Sequence, residues 1–167
     1  MALKTDVQIN LSSTLTGTAG LAPLNAPLAV IQPISLASGV ALNQADVLFS
    51  QQATILTAGT LTLDLKGGGL LDPFGAAINP VKLKGIYIFS KPTNTTNLTL
   101  FGDANHVPIL GTVATTLPNF APGSVFLHVN PSLAGIAVTA GTGDIIKIVN
   151  AAGASAVVDI VLFGTSA

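Results

Sequence analysis

The clearest hydrophobic pattern in the chain is an alternation near residue 60. Leu61, Leu63 and Leu65 alternate with polar residues, and the pattern ends at three consecutive glycines. Successive side chains of a strand point to opposite faces, so a period of two places the leucines on one face. The pattern therefore predicts a strand with a buried face and a solvated face over residues 60–66.

Similar segments recur along the chain with turn residues between them, and many short strands at this spacing predict an antiparallel β-sandwich. The last three segments are expected to form a meander with a tight turn at residues 141–144. Lys82 and Lys84 precede Ile86 and Ile88 on one face, which indicates a strand that runs from an exposed rim into a buried middle. The further predicted strands are residues 6–15, 28–36, 47–57, 81–90, 97–101, 124–129, 136–140, 145–149 and 156–163.

Two stretches, residues 7–45 and 104–143, carry no charge apart from the two His, and the first is rich in Ala and Leu and contains three prolines. Proline cannot donate to a strand ladder, so a regular central strand is not expected there. Two interpretations have equal weight: an extended arm lying over the body or a neighbouring subunit, and an edge strand followed by an Ω-like loop. We divide the chain into an N-terminal arm or edge-strand segment, residues 1–45, and a β-sandwich domain, residues 46–167.

The low charge content favours assembly. Charged residues are 8% of the chain, with six Lys, seven Asp and no Arg or Glu, where roughly 25% is typical. Mean hydropathy is +0.70, so low charge here does not indicate disorder. A monomer of this mass exposes about 7,600 Å², and so few charges predict that apolar surface is buried against other subunits. The candidate interface residues are Leu21, Pro23, Leu24, Pro27, Leu28, Val30, Ile31, Pro33 and Ile34.

The same composition argues against several classes of function. The net charge is −1 with no basic run, so direct nucleic-acid binding is not expected. No uninterrupted apolar run of about 18 residues is present to span a membrane, and the N-terminus lacks the apolar core of a signal peptide. Without cysteine, disulfides and thiolate chemistry are excluded. We expect synthesis in the cytoplasm.

Candidate chemistry is sparse. His106 reads as a loop residue, His128 as a solvent-facing or hydrogen-bonded strand residue, and neither has a second His or Cys nearby for a zinc site. Ser124, His128 and Asp144 could form a hydrolytic triad only by chance, since no Gly-x-Ser-x-Gly elbow accompanies them. Residues 103–105 offer two oxygen ligands without the acidic residue that a calcium loop requires. We predict no catalytic, cofactor or metal residues, and expect the protein not to be an enzyme.

Two regions resemble small structural proteins encoded by tailed bacteriophages and prophages. They are LDPFGAAI at 71–78 running into KLKGIYI at 82–88, and the chain from AVTAGTGD at 137–144 through the ending at 159–167. The resemblance covers about the last hundred residues. It implies a virion component with a jelly-roll-like antiparallel sandwich, most plausibly a capsid cement or decoration protein. Such a protein would sit on the capsid surface as a homotrimer, contact the major capsid protein and bridge capsomers.

Two alternatives from other classes stay open. The first is a receptor-binding head-fibre or tail-tip domain of a phage, with function in loops such as residues 91–97 and 102–108. The second is a cellular surface or adhesin module, which would require an export signal. Under the capsid interpretation, residues 7–45 are expected to form the intersubunit or capsid-facing arm.

Overall fold

A computed structural model of the chain describes residues 2–19, 22–67, 69–111, 115–151 and 153–167. Every regular element in these ranges is a β-strand, which confirms the predicted all-β fold. No helix that could span a membrane is found among them. The strands are β1 (Thr5–Ala19), β2 (Ala22–Ser38), β3 (Gln44–Ala45), β4 (Val47–Ile55), β5 (Thr60–Asp64), β6 (Lys82–Ser90), β7 (Leu98–Phe101), β8 (Thr116–Phe120), β9 (Val125–Val129), β10 (Ile136–Ala137), β11 (Ile145–Asn150) and β12 (Ala156–Thr165).

Two antiparallel sheets form the body. The large sheet has the order β10-β6-β12-β4, with β9 beside β10 on the same edge of β6, and the small sheet has the order β5-β11-β7-β8. Apolar side chains from both sheets form one core, as in Ile88 and Ile160 with Leu100 and Ile148. Phe101 of the small sheet meets Phe126 of the large sheet edge to face, with ring centroids 5.3 Å apart. The arrangement is β-sandwich-like.

The predicted meander at the C-terminus is wrong. The three strands β10, β11 and β12 do not pair with one another. β11 inserts between β5 and β7 in the small sheet, while β12 inserts between β4 and β6 in the large sheet. The physical reason is burial: Ile148 and Ile160 can enter the same core from opposite sides only if their strands belong to different sheets.

A long hairpin precedes the body. β1 and β2 pair in antiparallel register from Thr5 opposite Leu36 to Ala19 opposite Ala22. We call this two-stranded ribbon the β-arm. The short strand β3 pairs in parallel with the end of β2, and the predicted boundary at residues 45/46 falls between β3 and β4. The Ω-like loop alternative is wrong, because the described residues between 16 and 27 belong to the ladder of the β-arm.

Lys84 does not lie at an exposed rim as predicted. Its side chain is fully buried, and its ammonium donates hydrogen bonds to the carbonyls of Ser132 and, at 3.5 Å, Leu133. The register between β6 and β12 shifts at this point, so Lys84 is the extra residue of a β-bulge and the assumed alternation breaks there. Burial lowers the pKa of Lys84, and the positive charge of Lys82 lowers it further.

Candidate interaction surface

The β-arm has two chemically different faces. Directly opposed residues of an antiparallel pair share a face. Leu11 and Val30 are opposed and lie on one face of the β-arm, while Asn10 and Ile31 are opposed and lie on the other. One side, the polar face, carries Asp6, Gln8, Asn10, Ser12, Thr14 and Thr16 from β1, opposite Ser35, Pro33, Ile31, Ala29, Pro27 and Asn25 from β2. The other, the apolar face, carries Val7, Ile9, Leu11, Leu15, Ala26, Leu28, Val30, Ile34 and Leu36, with Ser13 and Gln32 as polar residues among them.

The base of the apolar face packs on the body. Leu36 is fully buried and forms a small cluster with Ala45 and Phe163. Gly85 of β6 lies opposite Phe163 in the register, and the aromatic ring occupies the space that a side chain at Gly85 would need. We call this cluster the arm seat, and its partly buried members are Leu3, Val7, Leu48 and Val129.

Beyond the arm seat the apolar face is uncovered. The exposed fractions are 42% for Ile9, 56% for Leu11, 74% for Leu15, 52% for Leu28 and 45% for Val30. A two-stranded ribbon is only marginally stable in water by itself, and large exposed apolar surfaces on soluble proteins are typical of interaction sites. The chain exposes 8866 Å², about 1,300 Å² more than a compact monomer of this mass.

The prolines explain how β2 remains a strand. Pro27 lies opposite Thr14 and Pro33 opposite Gln8, and Pro23 precedes Pro27 by four residues. Residues of an antiparallel strand alternately direct their N–H toward the partner and away from it, so even spacing gives the three prolines one orientation. Only the outward orientation leaves the ladder with β1 intact. The outer edge of β2 therefore lacks three donors, which protects it from strand addition.

A second partly apolar surface lies on the outer face of the large sheet, the side turned away from the small sheet. Asp159 lies within it, between Val157 and Val161 on β12, and its carboxylate pairs with Lys91 and accepts a hydrogen bond from Gln52 Nε2 at 2.8 Å. These two hydrogen bonds, that from Lys91 first, hold the pKa of Asp159 below its ordinary value. The half-buried or exposed apolar side chains of this face are Tyr87, Phe89, Val125, Leu127, Val157 and Val161.

The predicted interface residues are distributed over both faces of the β-arm. Leu28, Val30 and Ile34 lie on the apolar face, while Pro27, Ile31 and Pro33 lie on the polar one. The backbones of Pro23 and Leu24 belong to β2, and their side chains are outside the described part of the structure; Leu21 lies outside the described residues altogether. The prediction missed the β1 half of the apolar face, whose signal is the alternation of Val7, Ile9 and Leu11 with polar residues.

The structure separates the residues of the hypothetical triad. Ser124 and His128 are four residues apart along an extended segment, about 13 Å, which is beyond hydrogen-bond reach. His128 is half-buried and shares a side of β9 with the core-packed Phe126, so it does not lie on the outer face with Leu127. The carboxylate of Asp144 accepts a hydrogen bond from Gly141 N at 2.6 Å within its own turn.

His106 has a structural environment. It is buried, and its ring nitrogens lie 2.8 Å from the carbonyl oxygen of Asp103 and 2.9 Å from that of Gly111. The ring thus ties together the two ends of its loop. Within the ranges that the structure describes, no group of three His, Cys, Asp or Glu side chains is placed to hold a metal ion.

Fold and surface together define a class of protein: a β-sandwich-like body that carries a projecting, amphipathic two-stranded arm. Comparison of the chain with protein-family models, with curated proteins and with solved structures gives no significant match. The residues and their geometry are therefore the basis for a functional proposal.

Proposed function

We propose that this protein is a structural subunit of a virion, a capsid cement or decoration protein that binds the outside of the shell and bridges capsomers as a homo-oligomer, with a trimer expected. The observation that carries the proposal is the uncovered apolar face of the β-arm, which extends away from the folded body. A protein that worked alone in water would gain nothing from such a surface and would risk aggregation.

The magnitude of the uncovered surface suits a subunit contact. The excess of about 1,300 Å² over a compact monomer, which is shared by both faces of the arm, is of the same order as the roughly 800 Å² that each partner contributes to a standard interface. The chain has only thirteen Lys and Asp residues with which to solvate its surface. An interface built from these apolar side chains would contain few ion pairs, so assembly should depend weakly on salt.

The strand order supports a jelly roll for the body, which is the fold that the sequence resemblance implies. Strands β4 and β6 belong to the large sheet, whereas β5 and β7 belong to the small sheet. The last strands then insert between these earlier strands, β11 between β5 and β7 and β12 between β4 and β6. Such interleaving is what two nested Greek keys produce in a double-sheet jelly roll. Jelly rolls are common among viral capsid domains, and by fold analogy this supports a role in the virion.

A rigid turn offers a second apolar contact that suits a shell partner. The Asp72 carboxylate accepts hydrogen bonds from the backbone N–H groups of Phe74, at 2.8 Å, and Ala76, at 2.9 Å. Phe74 is 75% exposed although its turn is held in place. The turn belongs to the segment that resembles phage structural proteins, and Phe74 lines a surface cavity of about 150 Å³ together with Leu3 and Leu48.

The assembly half of the proposal is tested by light scattering coupled to size-exclusion chromatography over a dilution series. We expect a stable species of three times the 16.7 kDa chain mass. Changing Leu11 and Leu15 to Thr should weaken assembly about tenfold to hundredfold, because each half-exposed leucine loses about 1 kcal/mol of burial. Asn10→Ala, on the polar face, is the matched control. A wild-type chain that stays monomeric at all concentrations would contradict the proposal.

The location half is tested by immunogold electron microscopy of phage particles that encode the chain. Label repeated over the shell supports a cement protein, whereas label restricted to one vertex or the tail supports the receptor-binding alternative. The loops proposed for receptor binding use part of their polar groups internally, since Asn94 is buried and donates to Ser90 Oγ at 3.0 Å. Absence of label from particles would overturn the virion assignment.

A further inference from the structure

We propose that the apolar face of the β-arm of one copy lies across the outer face of the large sheet of a neighbouring copy, so that subunits exchange arms. The inference rests on the assembly role proposed above and names the surfaces that carry it. It commits to a second copy of this chain as the occupant of both uncovered apolar surfaces.

The proposed contact continues one that already exists within a single chain. At the arm seat, Leu36 and Val7 of the apolar face already pack on Phe163 and Val129 of the large sheet. The apolar surface of the sheet continues past the arm seat along β12 and β6 to residues such as Val161 and Tyr87, which lie opposite each other. The uncovered apolar face of the β-arm and the uncovered outer face of the large sheet are therefore continuous with the two sides of the arm-seat contact.

The two uncovered surfaces also match in length. The free outer face of β12 runs from Val161 to Val157, because Phe163 is covered at the arm seat, and its four residue steps span about 13 Å. On β1 the exposed leucines Leu11 and Leu15 are likewise four steps, about 13 Å, apart. The ribbon has the width of two strands, so one arm can cover β12 together with a neighbouring strand.

The uncovered part of the β-arm does not pack on its own body. Val7 is packed at the arm seat, whereas Ile9 and Leu11, only two and four residues further on, are about half exposed. The β1–β2 register is unbroken through this region, so the arm leaves the body without a hinge at which to fold back. The outer face does carry a charge, since Asp159 lies between Val157 and Val161 on β12, but its carboxylate is paired with Lys91, which reduces the cost of covering it.

Tyr87 provides an intrinsic reporter for the contact. It is the only tyrosine, there is no tryptophan, and it is half-buried on the outer face of the large sheet. In the oligomer we expect weak quenching of its fluorescence by acrylamide. Changing Leu11 and Leu15 to Thr should raise the quenching constant by about twofold as the ring loses its cover, while Asn10→Ala leaves it unchanged. Equal quenching in all three proteins would overturn the inference.

Cross-linking tests the partners directly, because the chain has no native cysteine. Two differently tagged chains, one with Leu11→Cys and the other with Val161→Cys, are co-expressed. The purified protein is treated with a short flexible bis-maleimide. We expect a cross-link between the two tags, and none when Asn10→Cys replaces Leu11→Cys. Circular dichroism verifies that each variant is folded.

The outcomes separate this inference from the proposed function. An oligomer without the cross-link and without protection of Tyr87 overturns arm exchange but leaves the assembly role standing. A chain carrying both Leu11→Cys and Val161→Cys that cross-links within itself at every dilution shows fold-back, which also overturns exchange. A monomer in light scattering overturns both proposals.

Discussion

Gly85 is the position at which the attachment of the β-arm can be tested with a single methyl group. A Cβ built at Gly85 would overlap Cζ of Phe163 and lie 2.5 Å from its Cε2 and 2.8 Å from its Cε1, where ordinary contacts are 3.4–4 Å. The ring cannot stay where it is in a Gly85→Ala variant. It must move by about 1 Å, and because Phe163 is almost fully buried against Leu36 and Ala45, the arm seat must open.

We expect Gly85→Ala to lower the free energy of unfolding by about 2 kcal/mol, within the range of about 1–3 kcal/mol for overpacking a buried site. Urea unfolding at one fixed protein concentration measures this cost, since assembly shifts apparent stability. Hydrogen exchange should localise the effect, with faster exchange in the half of the β-arm nearest Val7 and Leu36.

Two further variants decide whether the reasoning holds. Gly17→Ala is the control, because nothing lies within 4 Å of a Cβ at that position of β1, and its effect should stay below about 1 kcal/mol. Combining Gly85→Ala with Phe163→Leu should cost about 1 kcal/mol less than the sum of the single changes, since the smaller side chain relieves the clash. Strict additivity, or an unchanged stability of Gly85→Ala, would refute the account of the arm seat.

Three other predictions concern Lys84, His106 and the prolines of β2. The pKa of Lys84 is lowered in the folded state, so between that lowered pKa and the ordinary value of 10.5 the unfolded chain binds more protons and the free energy of unfolding should rise with pH. Lys84→Met should flatten this rise in urea titrations across alkaline pH. His106→Ala should lower the free energy of unfolding by about 1–3 kcal/mol in urea melts, because the ring no longer bonds the carbonyls of its loop; an unchanged value would contradict its structural role. Changing Pro27 and Pro33 to Thr restores two donors at the outer edge of β2, so light scattering should show association beyond the native oligomer, whereas Pro92→Thr in a loop should not.

Local patterns in the sequence predicted the strands of this protein well. The alternation of Leu61 and Leu63 with polar residues identified β5, and the apolar segment from Ala156 to Phe163 identified most of β12. The uncharged, proline-bearing N-terminus marked the arm. These features are visible because face alternation and the backbone limits of proline depend only on nearby residues.

The tertiary structure alone decided how the strands pair and which surfaces remain uncovered. No local pattern predicted β8, where Pro118 and a positive φ of 58° at Asn119 interrupt the usual alternation; pairing with β7 holds this strand in place. Lys84 is buried because the carbonyls of Ser132 and Leu133, far along the chain, receive its ammonium. Pairing, bulges and burial depend on contacts between residues distant in sequence, and no local periodicity records which distant partner a residue will meet.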